Sequence, residues 1–314
     1  MRQAGRYMHE YQTLRRRYDL ITLFQTPELI AEVTLMPIAA FGFDAAIIFS
    51  DILLIAESFG LNLRYIDGSG PQISQLTPSQ VLKTPQTDFL NYVIDGITLV
   101  KPQLQVPLIG FAGAPFTVAA YMIEGGSSRT LEKTKKWFYE DQKSFLELLD
   151  TITEATIEYL LKQIHAGCDA IQLFDSSANM LSQDAFEICC LGMMKKIIRA
   201  IGSQVPVLIF CKGSSFFAES IAQERPQAIS LDWQGDIAQV RKRVGPSIAL
   251  QGNLDPDILL TNPRTVTREA KLLMQKMKDD PGFIVNLGHG ILPSTPRENV
   301  QALVDCVKEG YGAL

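Results

Sequence analysis

Positive charge is in deficit in this 314-residue chain: 29 lysines and arginines stand against 34 acids, for a formal net charge of −5. With a pI near 5.4, the broad cationic surface that a nucleic-acid backbone demands is missing. Cysteines are few and odd in number, at Cys168, Cys189, Cys190, Cys211 and Cys306. They make no even disulfide framework and read as reduced thiols of a cytoplasmic protein. Long apolar runs are lacking too. The most apolar early stretch, Ala45 to Ala56, is too short to span a bilayer and carries Asp51 in its middle. No apolar segment follows the opening arginines, so the start does not read as a secretory signal, and the protein reads as soluble. The spacings of a P-loop, a dinucleotide fingerprint, a nucleophile elbow and a HExxH helix are all absent. His165-Ala166-Gly167-Cys168 has a metal-like gap, but no second pair follows it, which argues against zinc.

What is present is concentrated. The chain opens MRQAGRY and reaches Arg15-Arg16-Arg17, so five arginines and a single acid, Glu10, fall in the first seventeen residues. A basic cluster on an acidic chain is a local device. Arginine's planar fork matches carboxylate or phosphate oxygens, so the cluster points to a small polyanion.

Short apolar runs recur at Ala45–Phe49, Val106–Phe111, Ala170–Phe174, Val205–Phe210, Ala228–Leu231, Ser247–Leu250 and Phe283–Leu287. Near-continuous hydrophobicity over five or six residues predicts strands buried on both faces of a parallel sheet. Helical spacing fills the gaps: Phe145–Ile164, Asp184–Ile201 and Pro263–Met277, the last with Thr261 or Asn262 as cap. This alternation predicts an α/β fold, as an open doubly wound sheet or as a single-domain (β/α)8 barrel with its first strand truncated. Gly60 to Pro78 fits neither pattern, and Asp67-Gly68 within it suggests an inserted hairpin.

The barrel is favoured by where the polar residues fall. The runs end in Phe49-Ser50-Asp51, Phe174-Asp175-Ser176-Ser177, Phe210-Cys211-Lys212, Leu231-Asp232-Trp233 and Leu287-Gly288-His289-Gly290. In α/β barrels the C-terminal strand ends converge on the active site. Each residue also has a structural role open to it. Asp51 and Ser176 or Ser177 suit helix caps, Asp175 and Asp232 suit turns, and Lys212 suits a solvated or ion-paired lysine. His289 lies between two glycines, which favours close approach of a ligand. Tyr121 is either core packing or a donor at the mouth.

The blocks MRQAGRY, FSDIL (Phe49–Leu53), GFAGAPFT (Gly110–Thr117), YMIEGGSS (Tyr121–Ser128), QLFDS (Gln172–Ser176) and NLGHGI (Asn286–Ile291) occur in order across nearly the whole chain. Together they resemble the uroporphyrinogen decarboxylase family. That resemblance implies one (β/α)8 domain over 1–314, a homodimer, and no metal or organic cofactor. It implies removal of four acetate carboxyls from uroporphyrinogen III to give coproporphyrinogen III. It also implies substrate contacts from Arg2, Gln3, Ala4, Gly5, Arg6, Arg15, Asp51, Tyr121, Ser176 and His289. Asp51 would stabilise a developing pyrrole cation, and Arg2, or a water it holds, would deliver the proton.

Two departures stand out: the family usually has a segment with the first strand before the motif that opens this chain, and His9 replaces a usual proline. A related barrel family, the zinc-dependent corrinoid methyltransferases, uses a His-x-Cys pair at a strand end; here Ile209 precedes Cys211 in that place. An inactive tetrapyrrole-binding homologue is the non-catalytic alternative.

Overall fold

All seven apolar runs become strands of one parallel sheet in the computed structural model, which describes residues 2–66, 70–80 and 84–310. In chain order the strands are β1 (Ala46–Ile47), β2 (Leu63–Ile66), β3 (Gly70–Ile73), β4 (Leu108–Gly113), β5 (Ala170–Asp175), β6 (Val207–Cys211), β7 (Ala228–Ser230), β8 (Ala249–Leu254) and β9 (Phe283–Leu287). β2 and β3 pair antiparallel as a separate hairpin; the other seven run β1-β4-β5-β6-β7-β8-β9. Every residue of β6 is buried, as is nearly every residue of β4 and β5, because helices cover the outer face and the sheet curls over its own inner face. Phe49, Phe111, Phe174, Phe210 and His289, from the ends of five strands, accordingly line one cavity.

The helices start where the chain supplies caps. Asp141 accepts from Ser144 N–H to open Gln142–His165, and Asn262 accepts from Thr265 N–H ahead of Pro263–Lys276, with Pro263 at the first helical position as expected. Pro115 likewise opens Pro115–Glu124 directly after β4. Among the described residues no helix is long and apolar enough to cross a membrane.

Three sequence expectations change in detail. The 184–201 helix is interrupted: Gln183–Phe186 and Gly192–Ile201 flank a π-helical turn at Glu187–Leu191, whose wider winding seats Cys190 against Asp175. β8 runs four residues beyond Leu250, because Gln251 and Asn253 are buried with their amides bonded to Ser230 Oγ and Asp232 O. Ser177 begins a short 3-10 turn but caps nothing through its side chain; its N–H donates to Thr117 Oγ1 instead. The inserted hairpin is present as β2–β3, and its suggested turn, Asp67-Gly68, lies outside the described residues.

Candidate active site

The arginine loop is built from its own backbone. Gly5 O accepts from Met8 N–H at the start of the helix His9–Arg17, and Tyr7 donates its hydroxyl to Gln3 O. The Gln3 amide then pairs with the outer edge of β1, donating to Ala45 O at 2.7 Å and accepting from Ile47 N–H at 3.1 Å. One side chain thus does for β1 what a neighbouring strand would do, and it fixes the loop over the sheet. Behind the loop, Arg297 bonds Glu10 at 2.7 Å and lies over the Phe41 ring at 5.4 Å. The Arg2 and Arg6 side chains are left exposed, and both line the cavity together with Gln3, Ala4 and Gly5.

That cavity is about 940 Å³, near the top of the roughly 300–1,000 Å³ usual for small-molecule sites. Its inner surface is aromatic. Phe111 meets Phe174 edge-on at 5.6 Å between centroids, and Phe174 meets Phe210 at 5.8 Å. Such a surface packs a flat apolar ring well.

Asp51 follows β1, where its Oδ1 accepts from Leu53 N–H at 2.9 Å. Asp51 is therefore not the helix cap expected of it: the short helical turn Leu54–Phe59 begins after Leu53 with no side-chain cap, and Asp51 closes the turn before it while lining the cavity. It is enclosed by protein except toward that space, and burial raises its pKa. The Leu53 N–H, the Tyr65 phenol and the Arg2 charge act in the opposite direction. Tyr121, on Pro115–Glu124, is half-buried beside it; burial and then the Asp51 charge raise its phenol pKa. Ser176 reaches the cavity from the end of β5 and His289 from the loop after β9. The His289 pKa is lowered by burial first, then by the Lys212 and Arg2 cations, so the imidazole is neutral at pH 7. A methyl placed on Gly290 would stand 3.6 Å from Arg2 Cβ, so the loop after β9 and the arginine loop are neighbours.

Of the ten residues expected at the site, the structure brings nine to the cavity. Arg15 is the exception: its guanidinium donates to Tyr18 O at 2.8 Å, at the end of the first helix, and it is not on the cavity wall. The cavity adds Lys212, Arg129 and Tyr65, which sequence reasoning either set aside or missed. A signal for the aromatic surface was present, because the first four apolar runs all end in phenylalanine. The two buried carboxyls nearby, neither on the cavity wall, bond to neighbouring loops and helices. Asp232 accepts from Gly213 N–H and Ser215 Oγ, and Asp175 accepts from Thr117 Oγ1, with burial pushing its pKa up to about 6. Cys211 is fully buried, and its thiol is raised well above the ordinary range by burial, the opposite of a thiolate ligand.

A sequence model described as uroporphyrinogen decarboxylase (URO-D) matches residues 1–310. A uroporphyrinogen decarboxylase of Protochlamydia amoebophila is 44% identical over 99% of this chain and 87% of its own length. One from Alkalilimnicola ehrlichii is 42% identical over 98% of this chain and 88% of its own. Among solved structures, a methyltransferase from Methanosarcina mazei superposes with a TM-score of 0.80 at 22% identity, covering 92% of this chain and 87% of that one. A B12-independent methionine synthase from Shewanella gives 0.62 at 11%, covering 92% and 89%. These two likenesses are of fold, to TIM-barrel-like proteins. The match over residues 1–310, with relatives 44% and 42% identical along nearly the whole chain, places this chain in the uroporphyrinogen decarboxylase family.

Proposed function

We propose that the chain removes the four acetate carboxyls of uroporphyrinogen III, giving coproporphyrinogen III and carbon dioxide in haem biosynthesis. The observation that carries this reading is the placement of one enclosed carboxylate, Asp51, in an aromatic cavity whose wall also carries Arg2, Arg6, Arg129 and Lys212. The substrate has the matching layout, with pyrrole N–H groups at the centre and carboxylates at the rim.

Each cycle consumes one proton: CH2–COO⁻ and H⁺ become CH3 and CO2. Protonation of a pyrrole carbon places positive charge on the ring, which accepts the electron pair released when the C–CO2 bond breaks; the exocyclic methylene left behind then takes up a proton and the ring carbon gives up the first one, for a net uptake of one. An ionised Asp51, accepting from the ring N–H groups, stabilises that charge most where it is greatest, in the transition state. Arg2 and Arg6 hold rim carboxylates through bidentate contacts, and Gln3, Ala4 and Gly5 complete the same loop. Tyr121, Ser176 and neutral His289 are donors along the wall. Arg2, or a water it holds, delivers the proton.

We read the sheet as strands two to eight of a single (β/α)8 domain. The enzyme acts as a homodimer, as the resemblance implies. The buried, unpaired cysteines accord with a reducing cytoplasm.

The test is anaerobic incubation with uroporphyrinogen III and chromatography of the products. Stepwise loss of four carboxyls is expected. Asp51→Asn is expected to keep the substrate dissociation constant within about tenfold while kcat falls by roughly 10²–10³. A folded chain that removes no carboxyl overturns the reading, and an Asp51→Asn variant with full turnover removes Asp51 from it.

A further inference from the structure

The inserted hairpin β2–β3 covers the cavity and supplies it with one hydroxyl, that of Tyr65 on β2. The Tyr65 ring is held at 5.6 Å from Phe24, which stacks on Phe49 at 5.0 Å, two residues before Asp51. Its hydroxyl is completely buried and forms no hydrogen bond of ordinary geometry among the described residues. A buried hydroxyl without a partner is rare unless a ligand or a small rotation completes it. The acidic groups it faces are Asp51 and Glu57. Glu57 already accepts from Tyr92 Oη at 3.0 Å, which leaves Asp51. On the Asp51 side, Oδ1 accepts from Leu53 N–H, and a carboxylate has room for a further donor.

We infer that Tyr65 is a positioning residue for Asp51: its hydroxyl donates to the carboxylate from the hairpin side and holds it aimed at the cavity. The inference rests on the decarboxylase reading, which gives the carboxylate its task. A donor here fixes the carboxylate without adding charge, so the negative charge stays available to the ring cation. The proton stays on the phenol throughout, because burial and the Asp51 charge both raise the Tyr65 pKa. The other titratable groups facing Asp51 come from three elements: Arg2 from the arginine loop, Tyr121 from Pro115–Glu124 and Tyr159 from Gln142–His165. Tyr159 is turned toward Ser50, and Tyr121 acts on Asp51 through charge without a hydrogen bond. Tyr65 is therefore the phenol that bears directly on the carboxylate.

The test is Tyr65→Phe, which keeps the ring packing and deletes the oxygen. Losing a donor to the ionised form moves the Asp51 pKa up, so the acid limb of kcat shifts to higher pH, by about one unit. kcat falls roughly tenfold and KM changes less than about twofold, since the ring cation and not the bound substrate feels the loss. A site-specific 3-fluorotyrosine at 65, a stronger donor, moves the limb the other way. The Asp51 carboxyl stretch, followed by infrared titration and assigned with Asp51→Asn, reads the same pKa without turnover. Wild-type chain that makes no product refutes the decarboxylase reading, while the infrared titration still decides the role of Tyr65. An Asp51 pKa that is the same in wild type and Tyr65→Phe overturns the inference, as does a fall in kcat with the acid limb unmoved.

Discussion

Gly113 ends β4 beside the turn that carries Asp51, and an alanine there should damage turnover out of proportion to its size. A Cβ on Gly113 would stand 2.6 Å from Ile52 O, 2.9 Å from Val118 Cγ2 and 3.1 Å from Ile52 Cβ. Gly113 is not among the glycines with positive φ, so alanine meets no backbone strain and the effect is purely one of space. Cβ atoms essentially never come within 3.0 Å of a neighbour, so one partner must retreat by about 0.4 Å or more. Val118 is fully buried in Pro115–Glu124 and packed on every side. Ile52 lines the cavity in the turn that carries Asp51, so the 51–53 turn is what moves, and Asp51 moves with it.

Overpacking of this kind costs about 1–3 kcal/mol, which for a chain of this length lowers the melting temperature by about 2–6 °C. The kinetic effect is larger. A positioned group tolerates roughly 0.5 Å of error, and 1 Å can cost about a hundredfold. Gly113→Ala is therefore expected to lower kcat roughly tenfold with little change in KM, measured anaerobically on uroporphyrinogen beside a thermal melt. Gly192→Ala is the control: its Cβ meets nothing within 4 Å, it sits in a helix, and alanine there is expected to be neutral or slightly stabilising. Gly113→Ala with wild-type kcat would refute the claim that the end of β4 fixes the Asp51 turn.

Two further outcomes follow from the same geometry. Arg6→Lys keeps the charge and loses the planar fork, so KM for uroporphyrinogen should rise about tenfold; an unchanged KM removes Arg6 from carboxylate binding. Asp175 has a folded pKa near 6 against 3.8 for the ordinary carboxyl, so its ionisation is penalised by about 3 kcal/mol. That penalty is absent below about pH 3.8, grows as pH rises and is complete above about pH 6, because the folded state binds the extra proton within that window. Urea unfolding of wild type and Asp175→Asn at pH 4.5 and 7 should show the variant gaining stability relative to wild type at the higher pH, and parallel behaviour at both would show that the carboxyl is not desolvated.

The strands were legible because a sheet covered on both faces must be apolar on both, and seven such runs stand out. β8 was read short because Gln251 and Asn253 do not look like strand interior; only the folded sheet supplies Ser230 Oγ and Asp232 O to satisfy them. The π turn at Glu187–Leu191 was not read, although Phe186, Cys190, Met194 and Ile198 recur every four residues, a longer period than the roughly 3.6 of an α-helix. Tyr65 was not legible as a site residue because its place depends on how the hairpin folds back over the cavity, a tertiary fact with no local signature. Arg15 belongs to the same dense run of arginines, and on the first helix, where its guanidinium bonds Tyr18 O, it lies off the cavity wall that Arg2 and Arg6 share.

Three aspartates stand at strand ends, and their different fates follow from a period of two. Side chains alternate between the inner and outer faces of a strand, so a residue two places after an inward phenylalanine also points inward. Phe49, Phe174 and Phe210 all line the cavity, and so do Asp51, Ser176 and Lys212, each two residues later. Between them, Asp175 bonds Thr117 on the helix behind the sheet and Cys211 is fully buried, both off the cavity wall, whereas Ser50, in the turn after β1, lies on the wall and faces Tyr159. Asp175 differs from Asp51 by a single step of parity, and that step turns a carboxylate on the cavity wall into one bonded to Thr117 behind the sheet. Asp232 follows a leucine and is spent on Gly213 and Ser215. The same alternation puts Lys212 on the wall, where it helps keep His289 neutral. On β5 and β6, counting two from the terminal phenylalanine therefore separates the wall residues Ser176 and Lys212 from the structural Asp175 and Cys211, a distinction that polarity at the strand ends alone does not make.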